Sequence, residues 1–193
     1  MNRADALWSR LKTRFFYKLF FAKIGSRSAI RRPMLIANPQ YISLGNNVAI
    51  RDGIRLEVVR SADGSSPRLE IGNNVNIEQN VHIICGSKII IGNDVSITGG
   101  VAIVDVNHPY DDVTDPVKIG DRIQAAGNFV EIESGVFIGY GAIILPNVRI
   151  GKNSIIGAYS VVNRDVPEFS VVAGNPAKVV KKYSFENKIW ERI

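Results

Sequence analysis

The sequence predicts an all-β chain wound into a parallel β-helix of about five triangular coils. Three observations carry that expectation. Aliphatic residues recur at every sixth position, turn-forming Gly, Asn and Asp fall between them, and the sixes come in threes between interruptions. The series runs Leu44, Ile50, Leu56; Ile71, Ile77, Ile83; Ile91, Ile97, Ile103; then, unbroken, Ile132, Ile138, Ile144, Ile150, Ile156, Val162. A second small or branched residue follows four positions after most of these fifteen anchors, as at Val75, Val95, Val136 and Val148. A period of six suits neither a helix nor a long strand. It suits a short strand plus a corner, because side chains two and four apart on a strand share a face. Corner segments such as Gly72-Asn73-Asn74, Gly92-Asn93-Asp94 and Gly151-Lys152-Asn153 tolerate backbone conformations that branched residues resist. Three sides per coil then stack each strand on its counterpart about 4.8 Å away, with ladders of Ile and Val inside.

The elements follow in order. Residues 1–33 form an amino-terminal segment in which Leu7, Trp8, Leu11, Phe15 and Leu19 recur at helical spacing, widened by Phe16, Phe20 and Phe21. Arg3, Arg10, Lys12, Arg14, Lys18 and Lys23 are interspersed. Two readings stand for this short helix: a cap over the open end of the solenoid, or a surface lying on an anionic membrane through residues 1–22. Residues 34–167 are the coil, interrupted by a protruding loop at 104–131. Residues 168–193 close the chain, with Ser184 to Ile193 expected as a short helix.

The composition fits one domain. The 193 residues are 46% apolar and 22% charged, with a net charge of +6. The charge is uneven: residues 1–32 hold nine Lys/Arg against one Asp, residues 178–193 five against two, and the stretch between ten against fifteen. Basic ends around an acidic middle argue against a nucleic-acid groove. One cysteine, Cys85, excludes a disulfide framework and fits a reducing compartment. No apolar run approaches the roughly 20 residues of a membrane span, and a secretory signal is lacking, so the expected location is cytoplasmic, with peripheral contact at the inner face of a membrane as the extension.

The repeat breaks once at length, from Ile103 to Ile132. A long excursion from a rigid solenoid is where function is expected. It opens Asp105-Val106-Asn107-His108-Pro109-Tyr110, so one of the two histidines stands where coil gives way to loop. An imidazole with an ordinary pKa near 6.5 suits proton removal at neutral pH. The other, His82, closes a different hexad and is expected to be an ordinary outward residue.

With the repeat and the His-Pro pair, the chain resembles the hexapeptide-repeat acyltransferases, over about residues 34–182. The match is closest to the maltose and galactoside O-acetyltransferase branch and to acetyltransferases of polysaccharide biosynthesis. The resemblance implies a left-handed β-helix and His108 as general base. The stretch from Val136 through Ile144-Leu145-Pro146-Asn147 to Val172-Ala173-Gly174-Asn175-Pro176-Ala177-Lys178 looks like the acetyl-coenzyme A region of those enzymes. Carried over, Tyr140 and Ala158 would meet the pantetheine arm through their backbones, and Asn163, Arg164, Lys178 and Lys181 would lie toward the nucleotide phosphates; a backbone N–H near Gly139 or Tyr140 is the candidate oxyanion donor. Glu78 stands where the galactoside enzymes have a substrate-contacting Asn, with Asn80 close by; Asp105 and Tyr110 complete the candidate acceptor residues. No metal is expected, since a zinc enzyme of this fold needs three histidines. The implied function is transfer of acetyl from acetyl-coenzyme A to a sugar hydroxyl in a homotrimer, in capsule, exopolysaccharide or O-antigen synthesis. N-acetylation of a nucleotide-linked amino sugar and a non-catalytic assembly role are the alternatives.

Overall fold

The computed structural model of the protein describes residues 3–60 and 66–193; Met1 and Asn2, part of the expected amino-terminal segment, lie outside the described residues. Helix α1 (Arg3–Phe15) and a 3-10 turn (Tyr17–Leu19) come first. Each coil then gives one strand to each of three sheets. The first coil is β1 (Lys23–Ile24), β2 (Ala29–Ile30) and β3 (Leu35–Ala37); the second is β4 (Ile42–Leu44), β5 (Ala49–Ile50) and β6 (Arg55–Val58). The third is β7 (Arg68–Ile71), β8 (Asn76–Ile77) and β9 (His82–Cys85); the fourth is β10 (Lys88–Ile91), β11 (Ser96–Ile97) and β12 (Ala102–Val104). The fifth is β13 (Phe129–Ile132), β14 (Phe137–Ile138) and β15 (Ile143–Ile144); the sixth is β16 (Val148–Ile150), β17 (Ile155–Ile156) and β18 (Val161–Val162). Sheet A collects the first strand of every coil, sheet B the second and sheet C the third.

The register explains the period. In sheet A, Ile24, Leu44, Ile71, Ile91, Ile132 and Ile150 stand directly over one another. In sheet B the column is Ile30, Ile50, Ile77, Ile97, Ile138, Ile156 and Val172. In sheet C it is Ile36, Leu56, Ile83, Ile103, Ile144 and Val162. All fifteen predicted anchors fall in these columns, none more than 3% exposed. Each such burial is worth about 1.5–3 kcal/mol. The corners add a polar ladder: the side-chain oxygens of Asn46, Asn73 and Asn93 accept the backbone N–H of Ser26, Asn46 and Asn73, at 2.7–2.9 Å.

Two expectations are corrected. The coil begins at Lys23 rather than at residue 34, so there are six coils rather than about five. Ile24, Ile30 and Ile36 keep the spacing of six, which the polar run Arg31-Arg32-Pro33 obscures. The chain's end is also not a helix. Strand β19 (Ser170–Ala173) extends sheet B in parallel, and β20 (Lys178–Ser184) and β21 (Ile189–Arg192) fold back on it as an antiparallel hairpin. Tyr183 stacks edge-on against Trp190 at 5.4 Å and against Phe185 at 5.2 Å, and Phe185 meets Phe169 at 4.9 Å. Pairing an open sheet edge and setting four rings edge-on against one another outweigh a local helical preference.

The loop leaves after β12, and a buried carboxylate anchors it. Asp105, fully buried, accepts the backbone N–H groups of Gly86, Ser87 and Lys88 at 2.5, 2.9 and 2.7 Å. The returning loop packs Ala125 and Val106 against Gly86, where a Cβ would collide with the Ala125 methyl. Burial pushes the Asp105 carboxyl above the ordinary carboxylate range, against the three N–H groups that lower it. The folded chain therefore holds that proton more tightly than the unfolded one. Stability from this group is full below the ordinary range and declines as pH rises through the raised value. We expect Asp105→Ala, which orphans three buried donors, to cost about 3 kcal/mol in urea denaturation. The gap to wild type should be widest at acid pH and narrow toward neutrality.

Candidate active site

His108 stands one residue past a two-residue antiparallel bridge, Asn107 to Gln124, which pins the two ends of the loop together. Its Nδ1 lies 3.1 Å from the carbonyl oxygen of Arg122. A carbonyl only accepts, so the bond assigns the proton to Nδ1 and leaves Nε2 as the basic nitrogen of the neutral ring. The residue is exposed. The ring's orientation thus comes from a backbone carbonyl. Asp105, expected to line the acceptor site, instead spends both oxygens on the corner at Gly86–Lys88 and has no contact with solvent; that assignment is corrected.

Arg122 was not singled out by sequence, and it organises the loop. Its guanidinium donates to the carbonyls of Val117, Asp112 and Asp115 at 2.6, 2.8 and 2.9 Å, and reaches that of Pro109 at 3.5 Å. Nε also lies 3.3 Å from a carboxylate oxygen of Asp115, with the Arg122 side chain only 12% exposed. Five donors on a rigid plane can gather carbonyls from separate turns in this way. The same residue therefore holds the loop with its side chain and the histidine with its backbone. No spacing in the sequence announces this, because the partners are carbonyls common to every residue.

The remaining candidates divide between two corners. Glu78, Asn80, Gly139, Tyr140 and Ala158 lie in the turns from sheet B to sheet C, one coil above another. Backbone bonds link this column: Gly100 to Gln79 at 2.9 Å, Gly141 to Gly99 at 3.0 Å and Tyr159 to Tyr140 at 2.8 Å. The Tyr140 ring covers Gly99, where a Cβ would come within 3.1 Å of it, and meets Tyr159 edge-on at 5.7 Å. The Gly139 N–H is spent on the Ile156 carbonyl at 2.8 Å, so it is no oxyanion donor. Glu78 faces Arg51 of the preceding coil at 3.6 Å, and Asn80 sits exposed in a left-handed turn at φ 56.

His108 and Tyr110 (71% exposed) belong to the other corner, from sheet C to sheet A. Asn163 and Arg164 occupy the same corner two coils further on. Lys178 and Lys181 lie on β20, whose start is drawn to sheet C by the bond from Ala177 N–H to the Val161 carbonyl at 2.8 Å. Arg164 and Lys178 are exposed, and neither is in an ion pair with a described residue. Such cations suit the phosphates of a coenzyme A. His82 faces outward on sheet C between Arg55 and Ala102. Among the described residues no group of three or more His, Cys, Asp or Glu is arranged to hold a metal.

Known proteins resemble this chain. Residues 129–164 match the family described as bacterial transferase hexapeptide (six repeats). WbbJ of Escherichia coli (strain K12), assigned by its name to lipopolysaccharide biosynthesis as an O-acetyl transferase, is 34% identical over 186 residues, 94% of this chain and 89% of that protein. A galactoside O-acetyltransferase of Lactococcus lactis subsp. lactis (strain IL1403) is 35% identical over 121 residues, 63% of this chain and only 56% of its own length. The crystal structure of AntD, an N-acyltransferase from Bacillus cereus in complex with dTDP and 3-hydroxybutyryl-CoA, superposes with a TM-score of 0.74 over 93% of this chain and 92% of that one, at 22% identity. That likeness is one of fold. The repeat, the coil and the near full-length kinship with WbbJ lead to one conclusion: this chain belongs to the hexapeptide-repeat transferase family, and its solenoid is the left-handed parallel β-helix.

Proposed function

We propose that the chain is an acetyl-coenzyme A-dependent O-acetyltransferase that modifies a sugar hydroxyl in the assembly of a surface polysaccharide. One observation carries the reading: an exposed histidine at the mouth of the long loop between β12 and β13, its Nδ1 held by a backbone carbonyl, in a chain one-third identical to WbbJ along nearly its whole length. Bound acetyl-coenzyme A would supply the activated acyl group as a thioester. His108 Nε2 takes the acceptor's hydroxyl proton as that oxygen attacks, and the imidazolium then returns a proton to the departing thiol. Cys85 takes no part, because burial pushes its thiol far up from the ordinary range, with the nearby Asp105 charge adding to the effect. Arg164, Lys178, Lys181 and Asn163 would hold the nucleotide phosphates, and Tyr140 and Ala158 the pantetheine arm. Glu78, Asn80 and Tyr110 face the acceptor in this reading.

The two corners support a homotrimer with shared sites. Six residues at about 3.3 Å each put neighbouring corners up to about 20 Å apart. Reacting atoms must approach to about 3–3.5 Å. A site using His108 of one chain and the Tyr140–Ala158 column of its neighbour satisfies both facts. The loop tip adds apolar surface suited to such a contact, with Val113 91% and Ile119 50% exposed. A cytoplasmic location accords with the buried free thiol and the acetyl donor. The fold likeness to AntD favours one second reading, N-acylation of a nucleotide-linked amino sugar, and a panel of hydroxyl and amine acceptors separates the two by product.

We expect His108→Ala to lower kcat by about 10²–10⁴-fold while acetyl-coenzyme A binding persists in calorimetry. Near-normal turnover would remove the general-base role. Arg122→Ala should lower kcat about tenfold with little change in KM for acetyl-coenzyme A, and should open residues 109–121 to limited proteolysis. For the shared site, His108→Ala and Ala158→Trp proteins, the second placing a bulky ring in the path of the pantetheine arm, when mixed, dissociated and reassembled should regain activity in about one quarter of their sites. No recovery beyond the sum of the parents would place each site within one chain.

A further inference from the structure

Helix α1 is mounted with its polar side inward. Among its described side chains Ser9 and Thr13 are the buried ones, 7% and 0% exposed. The Thr13 hydroxyl accepts the Ile30 N–H at 2.8 Å and donates to the Ser9 carbonyl at 2.7 Å. Lys12 Nζ donates to the Arg31 carbonyl at 2.9 Å. The helix thus closes the edge of the first coil by hydrogen bonds, and its apolar side is left to solvent. On α1 Trp8 is 67% and Phe15 65% exposed, and in the turn that follows Leu19 is 77% and Phe20 51% exposed. The sequence leaves capping and membrane contact as alternatives; in the structure one face of the helix caps the coil, which leaves the other face free.

Beside the apolar face runs a cleft of about 500 Å³ between α1 and the first coil. Arg10, Arg14, Lys18 and Arg27 line it together with Leu7 and Leu11, and among the described residues no acidic one is in its walls. We propose that this face is a docking surface for an anionic phospholipid membrane: Trp8, Phe15, Leu19 and Phe20 enter the boundary between headgroups and acyl chains, and the four cations of the cleft receive lipid phosphates. Charge complementarity selects this occupant. A second copy presenting the same face would bring Arg10, Arg14, Lys18 and Arg27 against the same four cations. Aromatic and aliphatic side chains rimmed by Lys and Arg fit the headgroup boundary. At about 1.5 Å per residue α1 is about 20 Å long, which lies on a bilayer and does not cross one. Among the described residues no helix is long and apolar enough to span a membrane. The proposal stands independently of the acetyl-transfer reading.

The test is co-sedimentation of the full chain with vesicles of phosphatidylcholine alone and of phosphatidylcholine with phosphatidylglycerol. Partition into the anionic vesicles should be at least tenfold greater and fall severalfold in high salt. The double variant Trp8→Ser/Phe15→Ser should lose at least tenfold, with oligomeric state by light scattering unchanged. Arg14→Gln/Lys18→Gln should lose the preference for the anionic lipid and keep the residual binding. Four results overturn the proposal: no partition of the full chain, equal partition into both vesicles, dissociation of the oligomer by the Trp8/Phe15 variant, or release from vesicles by inorganic phosphate beyond the effect of chloride at equal ionic strength. The third makes the face an interface between copies, and the fourth assigns the cleft to a free anion.

Discussion

Everything in this molecule depends on coil-to-coil register. A parallel strand of two to four residues has little stability alone, and gains it by standing on an identical neighbour about 4.8 Å away. Ile77, for instance, is fully buried because Ile50 and Ile97 lie directly below and above it. A slip of one residue would turn every aliphatic side chain in that coil outward. Each coil must therefore close in phase, whatever happens at its corners. The Asn46–Asn73–Asn93 ladder serves the same end, since each side chain satisfies a backbone donor one coil away.

That constraint decides where chemistry can sit. The strands cannot be reshaped, so an insertion is tolerated only at a corner and must return the chain in register. The loop between β12 and β13 does so through the Asn107–Gln124 bridge, the Asp105 clamp and the close approach of Ala125 to Gly86. Rigid coils below and above then give His108 and the Tyr140 column fixed positions, on different corners. The separation is a consequence of the triangle, since adjacent corners stand a full side apart. The same rigidity exposes both ends of the solenoid, which are closed by different means. A helix donates and accepts through Thr13 and Lys12 at one end, and an antiparallel hairpin pairs with β19 at the other.

Much of this was legible beforehand. The fifteen anchors, the break after Ile103 and the His-Pro pair were plain, because a repeating tertiary contact writes a period into the sequence. The first coil was overlooked although Ile24, Ile30 and Ile36 carry the same period, since the charged stretch after Ile30 hid it. The terminal hairpin was misread as a helix because its stability lies in an edge that β19 offers and in rings met across strands. Arg122 left no trace, because its partners are backbone carbonyls. Asp105 is a candidate acceptor residue by sequence, while in the structure its oxygens serve residues 86–88, nearly twenty positions earlier, a contact that no local pattern announces.

By itself, then, the sequence determined the solenoid, its three-sided coil and the point where the coil opens, since all three follow from which residues recur at which spacing. Only the tertiary structure decided which way α1 faces, what orients His108 and which candidates share a corner. Those outcomes rest on single hydrogen bonds and on contacts between residues far apart in the chain, which no period encodes.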